Sequence, residues 1–325
     1  MHNPGLSPSP PHAVSDPAPA SPAPASPATP SSPADVSGRI ERLFVYPVKS
    51  CAGVEVREAL LTETGFDLDR AWMLVDADGE FITQRELPRM ALIQPRLRHS
   101  DVVLRAPGML ALHLQIDAVE QPARVRVWDD EVPAWDMGDL ASQWFTDFLQ
   151  AAGGSVAPRG PYRLVRFDPE HRRLSSLQWT GGAEALNQFS DGFPLLATST
   201  ASLDGLNRRL QAAGHGPVGM ERFRPNIVLA GLDEHDEDRL GVMRVHTEGG
   251  VTRLRPVKPC PRCPIPNVDP ATGRSSPEVG DMLQTYRSDA RVKGAVTFGM
   301  NLIIDEGVDR VLRVGQTVQA DFRFD

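Results

Sequence analysis

Two of the three cysteines in the chain fall within one stretch, VKPCPRCPIPNVDPATG, residues 257–273. A thiol can be a nucleophile, a redox centre or a soft metal donor, and its surroundings decide which. A structural zinc site takes four Cys or His donors, usually as two spaced pairs. Cys260 and Cys263 make one pair, Cys51 stands apart, and the eight histidines show no His-x3-5-His partner. That argues against zinc. A thioredoxin-like dithiol sits where a helix begins, because the helix N-terminus lowers the thiol pKa. Here Pro264 and Pro266 follow directly and break any regular helix, which disfavours a redox disulfide. Two readings stay open: one thiolate held as a ligand on a proline-stiffened loop, or a buried structural loop without chemistry. In the first, the charge of Arg262 between the thiols favours the ionised sulfur.

Several cations stand among small polar residues elsewhere. Lys49 and Ser50 end the run YPVKS, Arg70 follows a turn in GFDLDRAW, and Arg222 and Arg224 precede an apolar strand in ERFRPNIVL. In LLATSTASL, Ser199, Thr200 and Ser202 lie at a helix start, where hydroxyls and free backbone N–H groups can bind an anion. Singly each is ordinary: Arg70 reads as a surface ion pair and Ser199 as a helix cap. Together they would suit a phosphate group, with arginine forks, a lysine and a helix N-terminus. Composition alone does not bring them together. Of the 34 basic residues only Lys49, Lys258 and Lys293 are lysine, an excess of arginine that reads as composition bias. Even so, two of those three lysines lie in the stretches singled out here.

Short runs rich in β-branched and aromatic residues must carry these groups. RIERLFVYPV, VEVREALL, AWMLVDADGEFIT, DVVLRAPGMLALHLQI and ARVRVWDDEVPAW are separated by turn formers such as Asp78-Gly79 and Pro107-Gly108, the pattern of strands and hairpins. In GDLASQWFTDFLQAAGG, Leu140, Trp144 and Phe148 recur every four residues beside Ala141, Phe145 and Leu149, and Gly153-Gly154 ends the run. This predicts an amphipathic helix whose aromatic stripe packs a core. YRLVRF, RPNIVLAG, GVMRVH, VTRLRPV, AVTFGMNLII and QTVQADFRF predict further strands, with helices over STASLDGLNRRLQAAG and SPEVGDMLQTYRSD. DEHDED, residues 233–238, reads as a solvated acidic loop. Helices are few and do not alternate regularly with strands, so the fold class is a β-rich, barrel-like α+β rather than a doubly wound sheet.

The bulk numbers bound the partners. The chain has 325 residues and a net charge of −8, which argues against nucleic acid, whose backbone needs a basic surface. Three cysteines make no disulfide framework and fit a reducing compartment. Eleven of the first 35 residues are proline, so residues 1–37 are expected to form a disordered or polyproline-like tail. That segment lacks the basic start and apolar run of a secretory signal, and no run of 18 apolar residues occurs. These observations predict a cytoplasmic protein without a membrane span.

YPVKSCAGV, GFDLDRAWMLVDADGEFITQRELPRM, FRPNIVL and KPCPRCPIPNVDPATG, in this order and at these separations, resemble the MOSC-domain proteins of the molybdenum cofactor. The resemblance runs from about residue 39 to 322. It points to the branch with an N-terminal β-barrel that includes the amidoxime-reducing component. It implies a MOSC N-terminal β-barrel domain over residues 38–165 packed with a MOSC β-barrel domain over 166–325. The shared pattern Cys-x-Arg-Cys-x4-Val-Asp-Pro-x-Thr-Gly implies that Cys263 is the molybdenum ligand, that Cys260 is a neighbour without coordination, and that Arg262 lies beside the metal. By the same resemblance Lys49, Ser50, Arg70 and Arg224, with help from Ser199 and Thr200, would hold the molybdopterin.

The implied reaction is reduction of the N–O bond of an N-hydroxylated small molecule. Electrons would come from a separate redox protein, of ferredoxin or cytochrome b5 type with its reductase, because no further cysteine cluster could hold an iron–sulfur centre. Asp269 is a candidate proton donor, against the plainer reading of an Asp-Pro turn. Pro266-Asn267 stand where relatives often carry two threonines, so the substrate-side lining is expected to differ. A monomer is expected. The alternative is a carrier that passes on the cofactor, or a persulfide held on Cys263.

Overall fold

A computed structural model describes residue 1, residues 34–150 and residues 160–324. The expectation of a disordered tail therefore lies almost wholly outside the described residues, as does the glycine stop at Gly153-Gly154.

Seven strands form a closed barrel: β1 (Val36–Val45), β2 (Leu195–Ser199), β3 (Ile227–Ala230), β4 (Met243–Thr247), β5 (Gly250–Pro261), β6 (Ala295–Glu306) and β7 (Thr317–Ala320). Around the barrel the order is β2–β3–β1–β7–β4–β5–β6, and β6 pairs back onto β2. β2 and β3 are the single parallel pair of this ring, which requires a crossover, supplied by the helix that follows β2. At the closing seam Gly299 of β6 adopts φ +80, and a Cβ there would stand 2.5 Å from the Ala197 carbonyl oxygen. Only glycine permits the two strands to meet so closely. Inward-facing Leu43, Leu195, Leu229, Leu254, Met300 and Leu302 are at most 1% exposed and fill the interior.

β1 comes from the beginning of the described chain, yet its neighbours are β3 and β7. Arg39 sits opposite Ala230 on one side and Thr317 on the other. The segments 38–165 and 166–325 thus share a barrel strand, and a cut at 165 would leave a gap in the wall. A second link joins Glu58–Thr62 to Val311–Arg313.

Residues 65–150 and 160–167 otherwise build a separate layer. A four-stranded sheet runs in the order Trp72–Val75, Arg163–Phe167, Asp130–Asp136, Gln121–Val127, and a three-stranded one joins Gln94–Leu97, Asp101–Arg105 and Leu112–Gln115. Helix α1 (Asp139–Gln150) packs on them with Ala141, Trp144, Phe145, Phe148 and Leu149 buried, as its spacing predicts, while Leu140 at the first turn is 77% exposed. Truncating a fully buried phenylalanine such as Phe145 to alanine costs about 3–5 kcal/mol.

Three details depart from the sequence reading. β2 carries no strand signal in the sequence, because LLATS is buried on both faces and lacks the alternation that marks a half-buried strand. The first cysteine does not lie on a loop: β5 continues through Pro256, Pro259 and Cys260 to Pro261, with register shifts against β6 at Pro256/Lys258 and Pro259/Pro261. Bulges at these points let a strand tolerate residues without an N–H donor. Finally, DEHDED is not a solvated loop, since Asp236 and Glu237 are 6% and 1% exposed. Glu237 is drawn inward by the hydroxyls of Ser199 and Ser202, both at most 2.9 Å away.

Candidate functional site

β1 ends at Val45, and the chain then turns through Tyr46, Lys49 and Ser50. The Lys49 amide donates to the Trp72 carbonyl at 2.8 Å, fastening this turn to the N-terminal sheet. Ser50 (φ +67), Arg70 (φ +51) and Arg224 (φ +57) all adopt the left-handed backbone region. Such conformations cost about 1 kcal/mol or more in a residue with a Cβ, and they cluster where side chains are held for a purpose. These three turns aim into one cleft of about 810 Å³, its open mouth included. Lys49, Ser50, Arg70, Arg224, Arg262 and Cys263 all line it, so one cavity unites the scattered cations with the second cysteine.

The cationic end is crowded. The guanidinium carbons of Arg70 and Arg224 each lie 4.3 Å from the centre of the Tyr46 ring. Arg70 is bound by Asp69 at 2.5 Å, by Asn226 Oδ1 at 3.2 Å and by the Arg224 carbonyl at 3.1 Å. Arg224 Nη1 donates to the Cys51 carbonyl at 2.6 Å, whereas its Nη2 is buried without a partner. Burial, reinforced by the charge of Arg70, lowers the Arg224 guanidinium to about 10. A buried donor without a partner, on a cation beside a second guanidinium, suits an anionic partner. These residues therefore fit a group with a phosphate or other negative terminus. Burial also pushes the Cys51 thiol up to about 12, which makes it an inert core residue and not a ligand.

Lys49, 6% exposed, donates to the Phe189 carbonyl at 2.8 Å and to Asp191 Oδ1 at 2.5 Å. Burial lowers its ammonium pKa, and the Asp191 charge opposes the shift only in part. Crowding by the cleft walls works to raise the Asp191 carboxyl, but Lys49, Arg70 and Arg85 outweigh it and hold it below the usual carboxylate range. Asp191 itself is 68% exposed by side chain, at the rim. Its loop is tied down by the buried Arg173, whose Nη1 donates to Asn187 Oδ1, the Gln188 carbonyl and the Ser190 carbonyl at 2.6–2.8 Å.

At the sulfur end Cys260 and Cys263 are both half-buried and unpaired. Arg262 Nη1 donates to Cys260 Sγ at 3.1 Å and Nη2 to the Phe223 carbonyl at 2.9 Å. The guanidinium charge thus falls first on Cys260, although burial still raises that thiol overall. Cys263 stands just beyond the end of β5, before the one-turn helix Ile265–Asn267. Among the described residues no three His, Cys, Asp or Glu side chains converge as a metal cage, so a metal at Cys263 would need donors from a bound cofactor.

Three of the residues singled out in the sequence stand elsewhere. Ser199 and Thr200 are not among the residues lining the cleft. Ser199 is fully buried and caps helix α2 (Thr200–Ala212), accepting from the Ser202 amide, and the Glu237 carboxylate already occupies that helix end. The Ser199 amide and the Ser199 and Ser202 hydroxyls are thus already engaged by an internal side chain. Asp269 is likewise not in the wall. Its Oδ1 accepts from the Ala271 amide at 2.8 Å and its carbonyl from the Gly273 amide at 2.8 Å, so it builds the Asp-Pro turn that the plainer reading expects.

The cleft also contains residues that sequence reasoning passed over: Thr83, Arg85, Asp191, Asn226 and Asn301. Asp191 reads as a turn former in SDG, and Asn226 as the start of a strand. Asn226 carries the clearest missed signal, a polar side chain ahead of the wholly apolar run IVLA. It is 1% exposed and bridges the Leu196 amide, the Phe44 carbonyl and Arg70.

Comparison with known proteins agrees with this arrangement. The MOSC N-terminal beta barrel domain matches residues 37–152, and the MOSC domain matches residues 185–320. Mitochondrial amidoxime reducing component 2 of Rattus norvegicus is 32% identical over 299 residues, covering 86% of this chain and 82% of that protein. The chain belongs to the MOSC-domain family. Mitochondrial amidoxime-reducing component 1 of Homo sapiens is 33% identical over 295 residues with the same coverage, so the likeness of this MOSC protein extends across both halves. Mitochondrial amidoxime reducing component 2 of Homo sapiens is 33% identical over 261 residues, 77% of this chain and 72% of that protein. In this MOSC protein no helix among the described residues is long and apolar enough to cross a membrane.

Proposed function

We propose that the chain is a molybdenum-cofactor-dependent reductase of N-hydroxylated compounds, drawing electrons from a separate redox protein. The observation that carries this reading is the single cleft joining Cys263 to Lys49, Arg70 and Arg224, with Arg224 Nη2 buried and unpartnered. The amidoxime-reducing names of its relatives support the same chemistry. In this reading Arg70, Arg224, Lys49 and Ser50 grip the anionic end of molybdopterin, and Cys263 gives one thiolate to the metal, with Arg262 held beside it by the Phe223 carbonyl. When bound, the cofactor supplies the two-electron redox centre.

The overall reaction takes an N-hydroxylated amine or amidoxime, two electrons and two protons to the amine or amidine and water. The chain's part is to position groups and move protons. Lys49 Nζ holds a proton that burial makes easier to release, and Asp191 Oδ1 and the Phe189 carbonyl orient it toward the cleft. Asp191 connects that ammonium to solvent. Asp269 stays in its turn and takes no part.

The test uses cofactor-loaded protein and benzamidoxime with an artificial electron donor. Wild type is expected to hold about one molybdenum per chain and to reduce the N–O bond. Cys263→Ser should lose both, and Cys260→Ser should keep most of both. A stable persulfide on Cys263 without any reduction would establish the carrier alternative instead.

A further inference from the structure

The hairpin joining Gln121–Val127 to Asp130–Asp136 pairs Val127 with Asp130, leaving Trp128-Asp129 as its two-residue tip. Two-residue hairpin tips favour Gly, Asn or Asp where φ is positive. Here the position with φ +56 is taken by tryptophan, the bulkiest side chain available, and the residue remains 45% exposed. Neither backbone preference nor burial explains that choice. Its neighbours do. Arg85 Cζ lies 4.6 Å from the centre of the Trp128 ring, and Phe81 meets Trp128 edge-on at 5.0 Å between centroids. Both neighbours lead into the cleft: Arg85 lines it, anchored through Nε to Thr83 Oγ1 at 3.0 Å, and Phe81 lies 5.4 Å from Lys49 Nζ. An aromatic surface thus continues the wall from Lys49 through Phe81 to Trp128, outward from the cleft.

The tip is also registered to the opposite rim. Arg173, 6% exposed, donates from Nε to Asp130 Oδ2 at 2.9 Å while its Nη1 holds the loop carrying Asp191. One buried guanidinium therefore fixes the distance between the Trp128 hairpin and the Asp191 rim. From this geometry we propose that Trp128, backed by Arg85 and Phe81, is an aromatic subsite that takes the planar ring of the N-hydroxylated substrate and selects ring-bearing substrates over small aliphatic ones. The inference rests on the reductase reading for its substrate class. Stacking on an indole is worth enough to shift affinity several-fold, and a small aliphatic group has no ring with which to stack.

Calorimetric titration of oxidised, cofactor-loaded protein, without an electron donor, separates binding from turnover. Benzamidoxime and acetamidoxime are compared on wild type, Trp128→Gly and Trp128→Phe. Glycine suits φ +56, so the first variant removes the ring without straining the hairpin, and its melting temperature checks that it folds. The preference for benzamidoxime over acetamidoxime is expected to fall roughly fivefold in Trp128→Gly and to return largely in Trp128→Phe. An unchanged preference in Trp128→Gly, or no measurable binding of benzamidoxime to wild type, overturns the inference. Ring-selective binding that depends on Trp128 but leads to no reduction when electrons are supplied would keep the subsite and remove the reductase reading alone.

Discussion

Replacing Arg224 by methionine takes one charge from the crowded end of the cleft and keeps an unbranched side chain. In the anion-free protein that charge is a burden. Its value of about 10, against 12.5 for a free guanidinium, corresponds to at most about 3 kcal/mol against the folded state. The sign follows from the depressed cation: the penalty is complete below pH 10 and fades only as the pH climbs from there toward 12.5. Methionine removes it, but also removes the charged hydrogen bond to the Cys51 carbonyl, about 2 kcal/mol, and the stacking on Tyr46, about 1 kcal/mol. The opposing quantities nearly cancel. Arg224→Met should therefore shift the unfolding free energy of the anion-free protein at pH 7.5 by no more than about 1 kcal/mol.

Anion binding should respond differently. Inorganic pyrophosphate stands in for the cofactor terminus, and one charge-assisted bond to it is worth about 2 kcal/mol, or roughly 30-fold in Kd. In urea unfolding, the variant should need about 30 times more pyrophosphate than wild type for the same gain in stability. A variant that unfolds more than about 3 kcal/mol too easily on its own, yet answers pyrophosphate like wild type, would refute the anion reading.

Two further outcomes concern residues outside the cleft. Burial raises the Glu237 carboxyl to about 7 from 4.5, so its ionised form weakens the fold by up to about 3 kcal/mol above pH 7 and not at all below pH 4.5. Glu237→Gln should then stabilise the protein at pH 8 and leave it nearly unchanged at pH 5, and an equal shift in urea midpoint at both would contradict this. Asp269→Ala should cost about 1 kcal/mol through loss of its turn while kcat for benzamidoxime stays within about twofold of wild type, and a large fall in kcat at unchanged stability would return Asp269 to the proton path.

Much of the scaffold could be read from local pattern. Hydrophobic period and turn residues located most strands and the buried stripe of α1, because each signal is contained within a dozen residues. Closure of the barrel was not legible, since it depends on pairings such as Leu195 with Leu302 that no local pattern records. The same divide runs through the site. Lys49, Arg70, Arg224 and Cys263 were found because unusual residue types stand in quotable motifs. Their convergence came from resemblance alone. Asp191 and Arg85 were missed because an acid in a turn and an arginine near a surface are ordinary until the fold brings them opposite a lysine. Ser199 and Thr200 misled for a related reason: a helix start advertises an anion site, and the sequence does not say that Glu237, 38 residues on, already fills it.

The placement of β1 also bears on how the molecule is made. Ser37 lies opposite Gln319, and Leu43 opposite Ile227, so β1 leaves the ribosome well before the partners it needs. At about 5–20 residues per second that delay runs from roughly fifteen seconds to a minute. Meanwhile the apolar residues of VSGRIERLFV, Val36, Ile40, Leu43 and Val45 among them, have no wall to join, an invitation to chaperones and to mispairing between nascent chains.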